Sequence, residues 1–317
     1  MSASVTARIA KGVASIPAAQ WDACAGEANP FVSHAFLSAL ERSGSVSSET
    51  GWQPLPIVID GACGTPAAIV PAYAKSHSQG EYVFDHAWAD AWERAGGRYY
   101  PKLQAAMPFT PVPGPRLLLR DAALAPGLIA GLEAVTDQNR LSSAHVTFLD
   151  DTQLPLFEQA GWLIRAGTQF HWRNDGYASC DAFLAALSSR KRKAIRKERE
   201  RALEGLTIRH LTGPDITEAH WDAFWAFYQD TGSRKWGHPY LTRPYFSMLG
   251  DAMGDKVLLM LAERDGRPIA GALNLIGADA LYGRYWGCTE EVPFLHFELC
   301  YYQAIEAAIG RGLARVE

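Results

Sequence analysis

The sequence predicts an α/β protein made of two units in tandem, and three observations support that fold class. The chain has 317 residues, which is long for one core because domains usually hold roughly 100–200 residues. Hydrophobic residues make up 48% and charged residues 20%, the profile of a folded globular chain. A pattern of strands and helices runs to the turn signal Asn174-Asp175-Gly176 and then restarts. We therefore expect domains at 1–176 and 177–317.

The first unit shows strands and helices in a loose alternation. A weak apolar alternation over 5–16 suits a strand, Pro17 opens a helical stretch, and Ser33 suits the N-cap of a helix that ends at Gly44. Prolines then forbid a long helix over 99–119 and favour extended chain. The elements expected after Gly44 are two paired strands, a helix, the extended segment, a helix, a strand, a short helix and a strand, at 55–60, 67–76, 82–96, 99–119, 123–141, 144–150, 152–161 and 162–174.

The second unit has a clearer order of elements. The sequence predicts a long helix, a strand, a helix, three strands, a helix and a last strand, at 180–205, 206–211, 217–233, 257–287, 294–312 and 313–317. Asp265-Gly266 is a strong hairpin signal between the first two of the three strands. Strand, helix, three-stranded meander, helix and strand is the order of a GNAT acyltransferase core. The first unit is a looser version of it, so the sequence predicts two tandem GNAT-like domains with mixed central sheets.

Charge and cysteine usage exclude several classes of protein. The net charge of −4 and the pI of about 6.2 give no global sign of nucleic-acid binding, so any basic site must be local. The five cysteines are scattered and form no C-x-x-C pair, which fits a reducing compartment. The N-terminus lacks the pattern of a signal peptide, and no run reaches 18 apolar residues. We expect a cytoplasmic protein with no membrane span.

Several segments resemble a family of bacterial proteins described as FemAB-like, or peptidoglycan biosynthesis/recognition N-acyltransferases. The resemblance lies in 29–44, 82–118, 170–174, 227–241 and 283–306, and RYYPKLQAAMPFTPVPGPR and LHFELCYYQ are its most specific strings. The resemblance implies two GNAT-like domains. Its best-studied members use aminoacyl-tRNA to add amino acids to peptidoglycan precursors, and the broader superfamily uses acyl-CoA. Family members usually continue past the last helix, so we expect that the second unit is cut short at its C-terminal end.

The turn at 287–298 indicates which kind of acyl donor the protein can bind. A CoA-dependent GNAT holds pyrophosphate on the backbone N–H groups of a glycine-rich turn after its fourth strand. Here that turn carries Glu290 and Glu291, which repel phosphate, and Pro293, which lacks a donor. We expect no bound cofactor and a co-substrate such as aminoacyl-tRNA, with acyl-CoA at an unusual site as the alternative.

The basic run at 190–201 is the main candidate for phosphate or RNA contact. Arg192, Arg196 and Arg199 fall on one face of the predicted helix and suit a row of phosphates. The alternative is a solvated helix surface held by ion pairs between successive turns. Transfer RNA is thus a candidate partner of this face.

A loop at 230–241, a strand end and the proline-rich segment supply candidates for substrate contact. Charged and aromatic residues in loops on a rigid scaffold often touch ligand, and the fourth strand of a GNAT faces the transfer cleft. Lys102 suits a carboxylate or a phosphate, against the alternative of a surface cation. The candidate substrate-binding residues are Lys235, Trp236, His238, Tyr285, Trp286, Tyr100 and Lys102.

The helix after the last meander strand carries the candidate catalytic groups. Acyl transfer to an amine needs a base for the attacking ammonium and an acid for the leaving group. Glu298 or His296 suits the first role and Tyr302 the second. The alternative is a core helix whose polar residues are structural. His86 and Asp90 lie four residues apart but lack further nearby ligands, so we expect no metal site.

The sequence therefore predicts an N-acyltransferase or aminoacyltransferase that acts on a small-molecule or peptide amine. A second reading stays open: a degenerate GNAT that binds a cell-wall precursor or another amine without chemistry. The weak phosphate turn favours this second reading.

Overall fold

The structure, a computed structural model, describes residues 6–234 and 239–317. The chain divides into two compact units, Met1–Gly167 and Thr168–Glu317. The division falls before the expected boundary at 176, because the strand Trp172–Arg173 pairs with Arg315–Val316 of the second unit. The α/β class and the GNAT-like, mixed sheets are confirmed.

The first unit holds two mixed layers of short strands and helices. Its strands are β1 Ala7–Ile9, β2 Trp52–Pro54, β3 Ile57–Asp60, β4 Pro66–Val70, β5 Ala72–Lys75, β6 Lys102–Ala105, β7 Leu118–Leu119 and β8 Ala144–Val146. Its α-helices are α1 Ala18–Ala25, α2 His34–Arg42, α3 His86–Arg94, α4 Ala125–Gln138 and α5 Leu154–Gln159. One sheet has the order β1-β3-β4-β7 and the other β2-β5-β6-β8, with β6 and β8 parallel.

Pro71 separates β4 from β5 at the point where the chain passes from one sheet to the other. Proline has no N–H to donate to a ladder, so it suits such a break. The apolar face of α4 packs on the strands, and Leu128 and Leu132 are buried against Ile57 and Leu103. This packing fixes the core of the first unit.

Arg116 organises the proline-rich extended segment. Its guanidinium is fully buried and donates to the carbonyl oxygens of Val112 (2.9 Å), Gly114 (2.9 Å) and Thr147 (2.8 Å). A proline-rich chain has carbonyl acceptors but few N–H donors, so one arginine satisfies groups that no sheet ladder reaches. Burial without a carboxylate partner in contact lowers the pKa of Arg116 to about 9.

The second unit is built on one six-stranded sheet. Its strands are β9 Trp172–Arg173, β10 Thr207–Leu211, β11 Val257–Arg264, β12 Arg267–Ile276, β13 Ala280–Cys288 and β14 Arg315–Val316. Its α-helices are α6 Cys180–Ala186, α7 Ser189–Ala202, α8 Glu218–Arg234, α9 Arg243–Met253, α10 Leu295–Phe297 and α11 Gln303–Gly310, with a π-helical turn, Glu298–Tyr302, between the last two. The sheet order is β10-β11-β12-β13-β14-β9, and only the β13–β14 pair is parallel among these strands.

The hairpin at Asp265-Gly266 is confirmed. Arg264 pairs with Arg267 across it, and both central residues have positive φ, 52° and 75°. Such a turn matches the twist of the strands it joins.

Two predicted elements differ from the structure. The single helix expected over 180–205 is divided into α6 and α7, because Ser188 caps α7 by accepting from the N–H of Lys191. The strand expected over 162–174 forms only at β9. Among the described residues, no helix has both the length and the apolar character to cross a bilayer.

Candidate functional site

A cavity of about 650 Å³ lies in the second unit at the carboxyl end of β13. Volumes of this order are usual for small-molecule sites. Its wall combines the last residues of β13, the following turn, the start of α10 and one residue of α8. The lining residues are Thr231, Trp286, Cys288, Glu290, Glu291, Val292, Pro293, Leu295 and His296.

Gly287 sets how closely α8 lies to β13. A Cβ at this position would stand 2.1 Å from the carbonyl oxygen of Phe227, so only glycine lets the helix backbone rest on the strand. This close approach helps to bring Thr231, one turn further along α8, to the cavity wall.

A β-bulge in β13 determines which side chains face the cavity. Leu273 pairs with Tyr285 and Asn274 with Gly283, so Arg284 is the extra residue. Tyr285 then packs on Tyr228 of α8, with ring centroids 5.3 Å apart. The next residue, on the opposite face, is Trp286, which lines the cavity. Of the two aromatic residues of β13 proposed for substrate contact, Trp286 therefore lies in the cavity wall and Tyr285 packs beneath α8.

His296 and Trp286 come together, as the assignment of both to one site requires. Their ring centroids are 5.3 Å apart at an interplanar angle of 75°, and His296 is solvent-exposed at the start of α10. Tyr301 lies against the same imidazole at 6.0 Å. An exposed imidazole held between aromatic rings can exchange a proton with a ligand in the cavity.

Glu290 forms ion pairs with the hairpin between β11 and β12. Its carboxylate accepts hydrogen bonds from Arg264 and Arg267, which flank the Asp265-Gly266 turn. One of the two acidic groups expected to repel phosphate is thus neutralised within the fold. Glu291 is exposed and lines the cavity beside it, and Pro293 leaves one N–H fewer in this turn.

Glu298, the first candidate base, lies in a separate ion cluster rather than in the cavity wall. It is fully buried, and Arg199 donates to both carboxylate oxygens at 3.0–3.2 Å. Gln303 donates to the same group at 2.8 Å, and Arg199 also donates to Glu306 at 2.9 Å. Taking up a proton would break a two-pronged, charge-assisted pair, so this geometry favours a structural role for Glu298.

Tyr302 belongs to the same neighbourhood. Its hydroxyl donates to Glu198 at 3.1 Å, and burial together with that carboxylate raises the pKa of Tyr302 to about 12. A phenol with so high a pKa releases its proton reluctantly, so the geometry does not favour Tyr302 as the acid for a leaving group.

The three arginines proposed for phosphate contact have partners within the fold. Arg192 donates to the carbonyl oxygen of Ala185 at 3.2 Å, which closes the end of α6. Arg196 pairs with Asp181 at 3.0 Å, and Arg199 holds Glu298. This face of α7 therefore contacts its own unit, and a ligand phosphate there would compete with these contacts.

Lys102 and Tyr100 lie in a buried polar cluster of the first unit. The Lys102 ammonium donates to Ser78 Oγ (2.8 Å), Glu81 (2.8 Å) and Asp85 (2.6 Å), so its three protons are used. Tyr100 hydrogen-bonds Ser78 at 2.8 Å. The side chain of Lys102 is 1% exposed, so it is neither the surface cation of the alternative reading nor open to a ligand as it stands.

Sequence reasoning missed the other members of this cluster. Lys75, at the end of the apolar strand β5, is fully buried with its ammonium 3.6 Å from the ring centroid of Trp52. Burial lowers the pKa of Lys75 to about 7. The available signal was two acids four residues apart, Glu81 and Asp85, beside a lysine inside an apolar run. Lys235, Trp236 and His238 lie outside the described residues.

The fold and the cavity define the chain as a tandem GNAT-like protein. Within that class it belongs to the FemAB-like family: the family model, described as peptidoglycan biosynthesis/recognition, matches residues 12–317. The resemblance found in the sequence is thereby confirmed. None of the curated protein sequences compared with the chain matches it.

Solved structures share the fold at low identity. The crystal structure of FemX is 13% identical, with a TM-score of 0.52, and the match covers 95% of this chain and 86% of that one. L-PGS from Bacillus licheniformis is 11% identical, with a TM-score of 0.50 over 92% of this chain and 75% of that one. The C-terminal domain of a putative lysylphosphatidylglycerol synthetase from Agrobacterium fabrum is 10% identical, with a TM-score of 0.50 over 94% and 76%. These likenesses show the fold.

Proposed function

We propose that the protein transfers an aminoacyl group from an aminoacyl-tRNA to the amine of a small molecule or peptide. The observation that carries the proposal is the cavity at the end of β13, where His296 stands against Trp286. Membership of the FemAB-like family supports the reaction class.

The reaction forms an amide bond and breaks an ester bond. The acceptor ammonium first loses a proton, the free amine nitrogen attacks the carbonyl carbon of the ester, and the ribose hydroxyl leaves with a proton. His296 is the proposed base because it is the exposed imidazole that lines the cavity. Trp286 is the proposed apolar wall that orients the transferred group. Most of the rate would come from positioning, because an amine and an activated ester react without a further cofactor.

The turn after β13 supports an RNA-borne donor over CoA. Glu291 and Pro293 stand where a pyrophosphate would need N–H donors, and the Glu290 carboxylate already occupies Arg264 and Arg267. An aminoacyl-tRNA carries phosphodiesters and no pyrophosphate, so it does not require this turn to supply a set of pyrophosphate-binding N–H groups.

The test is a transfer assay that compares a bulk charged tRNA pool with acyl-CoA as donor and uses amino-terminated peptidoglycan peptides as acceptors. We expect transfer from charged tRNA and a 10²- to 10⁴-fold lower kcat, roughly, in His296→Ala, the usual range for loss of a general base. His86→Ala, which alters an exposed histidine at the start of α3, is the matched control and should leave kcat unchanged. Turnover of acyl-CoA but not of charged tRNA would contradict the assignment of the donor. Full activity of His296→Ala would contradict the assignment of His296 as the base.

The contacts that Glu298 and Tyr302 make within the fold favour a second function, that of a binding protein. Because both are engaged in intramolecular contacts, His296 is the one of the three proposed catalytic residues that lines the cavity, which also suits a binding protein that captures an amine without chemistry. Calorimetric binding of the peptide amine by the wild type, with no product in the transfer assay, would establish this function instead.

A further inference from the structure

The face of α7 opposite to Arg192, Arg196 and Arg199 carries a second set of cations. Arg190, Lys193, Lys197 and Arg201 follow one another at intervals of three, four and four residues, so they share one side of the helix. We call these four residues the outer stripe. All four are exposed, and among the described residues none of them forms an ion pair.

The outer stripe is strongly cationic even when its neighbours are counted. Glu200 lies beside it, Glu204 follows just beyond the end of the helix, and Lys191 lies towards the other side, so two acids stand against these five cations. Glu198 is turned away to accept from Tyr302. Such a surface attracts a polyanion, because neutralising successive phosphates releases their counterions.

The outer stripe leads towards the cavity. The guanidinium carbon of Arg201 lies 5.7 Å from the ring centroid of Phe294, and the residues on either side of Phe294, Pro293 and Leu295, line the cavity. From Arg190 to Arg201 the helix rises about 16 Å, which is long enough to contact several successive phosphates. A chain of phosphates on the stripe would therefore end beside the cavity.

We propose that the outer stripe binds the phosphate backbone of the donor RNA and directs its acylated end into the cavity. The proposal rests on the proposed function, which it deepens by naming the RNA contacts. A bilayer surface is a poorer fit, because a helix that lies on lipid inserts apolar side chains and this face carries only Ala194 among its cations.

The test measures the affinity of the full chain for bulk uncharged tRNA by filter binding, at several salt concentrations. The stripe variant is Arg190→Gln, Lys193→Gln, Lys197→Gln and Arg201→Gln together. We expect its affinity to fall at least about tenfold, and the slope of log K against log salt to shrink by roughly 3, since each lost phosphate contact removes about 0.7–0.9.

The matched control removes the same charge from exposed cations elsewhere: Lys11→Gln, Arg42→Gln, Arg94→Gln and Arg311→Gln. It should change the affinity less than about threefold, with the slope nearly intact. Equal losses in the two variants would overturn the proposal, because the effect would then be one of net charge.

Two further measurements separate this proposal from its rivals. Co-sedimentation with phosphatidylglycerol vesicles that the stripe variant loses, with unchanged RNA binding, would assign the stripe to a membrane and overturn the proposal. If the stripe variant transfers from charged tRNA with an unaltered KM for the tRNA, the stripe does not bind the donor, and the proposed function still holds. If the wild type binds RNA through the stripe but shows no transfer, the proposed function is wrong, and the RNA contact still holds.

Discussion

Each unit of the protein buries a cation among carboxylates, but the two clusters differ in how completely they are satisfied. In the first unit Lys102 lies between Glu81 and Asp85 and all three side chains are at most 4% exposed. In the second unit Arg199 is 17% exposed and holds the fully buried Glu298 together with the half-exposed Glu306. The first cluster is closed to water, whereas the second reaches the surface.

The difference follows from the chemistry of the two cations. An ammonium is a point charge with three protons, and among the described residues it leaves Glu81 Oε1 and Asp85 Oδ1 buried without a hydrogen bond. A guanidinium is a planar fork, so Arg199 reaches both oxygens of Glu298 at once. Unsatisfied buried acceptors are costly, so the first cluster should be the more sensitive of the two.

The largest expected effect is loss of the buried lysine. Lys102→Met leaves two buried carboxylates without their cation, and breaking such a pair usually costs about 3–5 kcal/mol of unfolding free energy. Urea unfolding followed by circular dichroism measures it, with Lys11→Met at an exposed site as the control. A loss below about 1 kcal/mol would contradict the prediction that the two buried carboxylates depend on Lys102.

A smaller effect is expected for the arginine. Arg199→Met should cost about 2–3 kcal/mol, because Gln303 still donates to Glu298 and Glu306 can turn to water. Arg199→Lys sharpens the comparison, since it keeps the charge and loses the fork. We expect Arg199→Lys to recover less than half of the unfolding free energy that Arg199→Met loses in the same urea assay. Full recovery would mean that the positive charge, and not the planar guanidinium, stabilises this cluster.

The smallest effect concerns pH and Lys75. Its pKa is about 7 in the folded state and about 10.5 when unfolded, so between these values the unfolded chain binds the extra proton. Its contribution to stability is therefore unfavourable below pH 7 and improves as pH rises, by at most about 1.4 kcal/mol per pH unit.

Unfolding free energies of the wild type and Lys75→Met at pH 7 and pH 9 measure this contribution together with the coupling of Lys75 to Glu81 and Asp85. The unfolding free energy of the wild type should rise by about 2 kcal/mol relative to that of the variant between the two pH values. Parallel pH profiles would show that the ammonium keeps an ordinary pKa beside Trp52.

Local patterns in the sequence predict much of the second unit, because its signals act over short distances. The Asp265-Gly266 turn and the order of strands and helices follow from turn chemistry and periodicity. The same periodicity separates the two faces of α7 but does not say which one points inwards. That depends on Asp181 and Glu298, and the latter is 99 residues from its partner Arg199.

In the candidate site, too, the sequence predicts contacts between residues close in the chain better than contacts between distant ones. Trp286 and His296 were expected together and meet in the cavity, since ten residues of strand, turn and helix join them. Glu298 follows His296 by only two residues, yet the helical turn carries it to the other side and into the core. In the first unit, Lys102 draws its partners from 17 to 24 residues upstream, across α3 and the loops that flank it, and no periodic pattern describes the path of those loops.

Gly287 has a consequence for the range of molecules that this protein can come to accept. Since even a methyl group there would collide with the backbone of α8, a larger residue at this position would push the helix away from β13. Thr231 of α8 lines the cavity, so such a shift would also move this part of the cavity wall. Val292 and Leu295 line the cavity from the turn and the helix that follow β13 and are under no such constraint from Gly287. A change in ligand size is therefore accommodated more easily at these two residues than at the contact between α8 and β13.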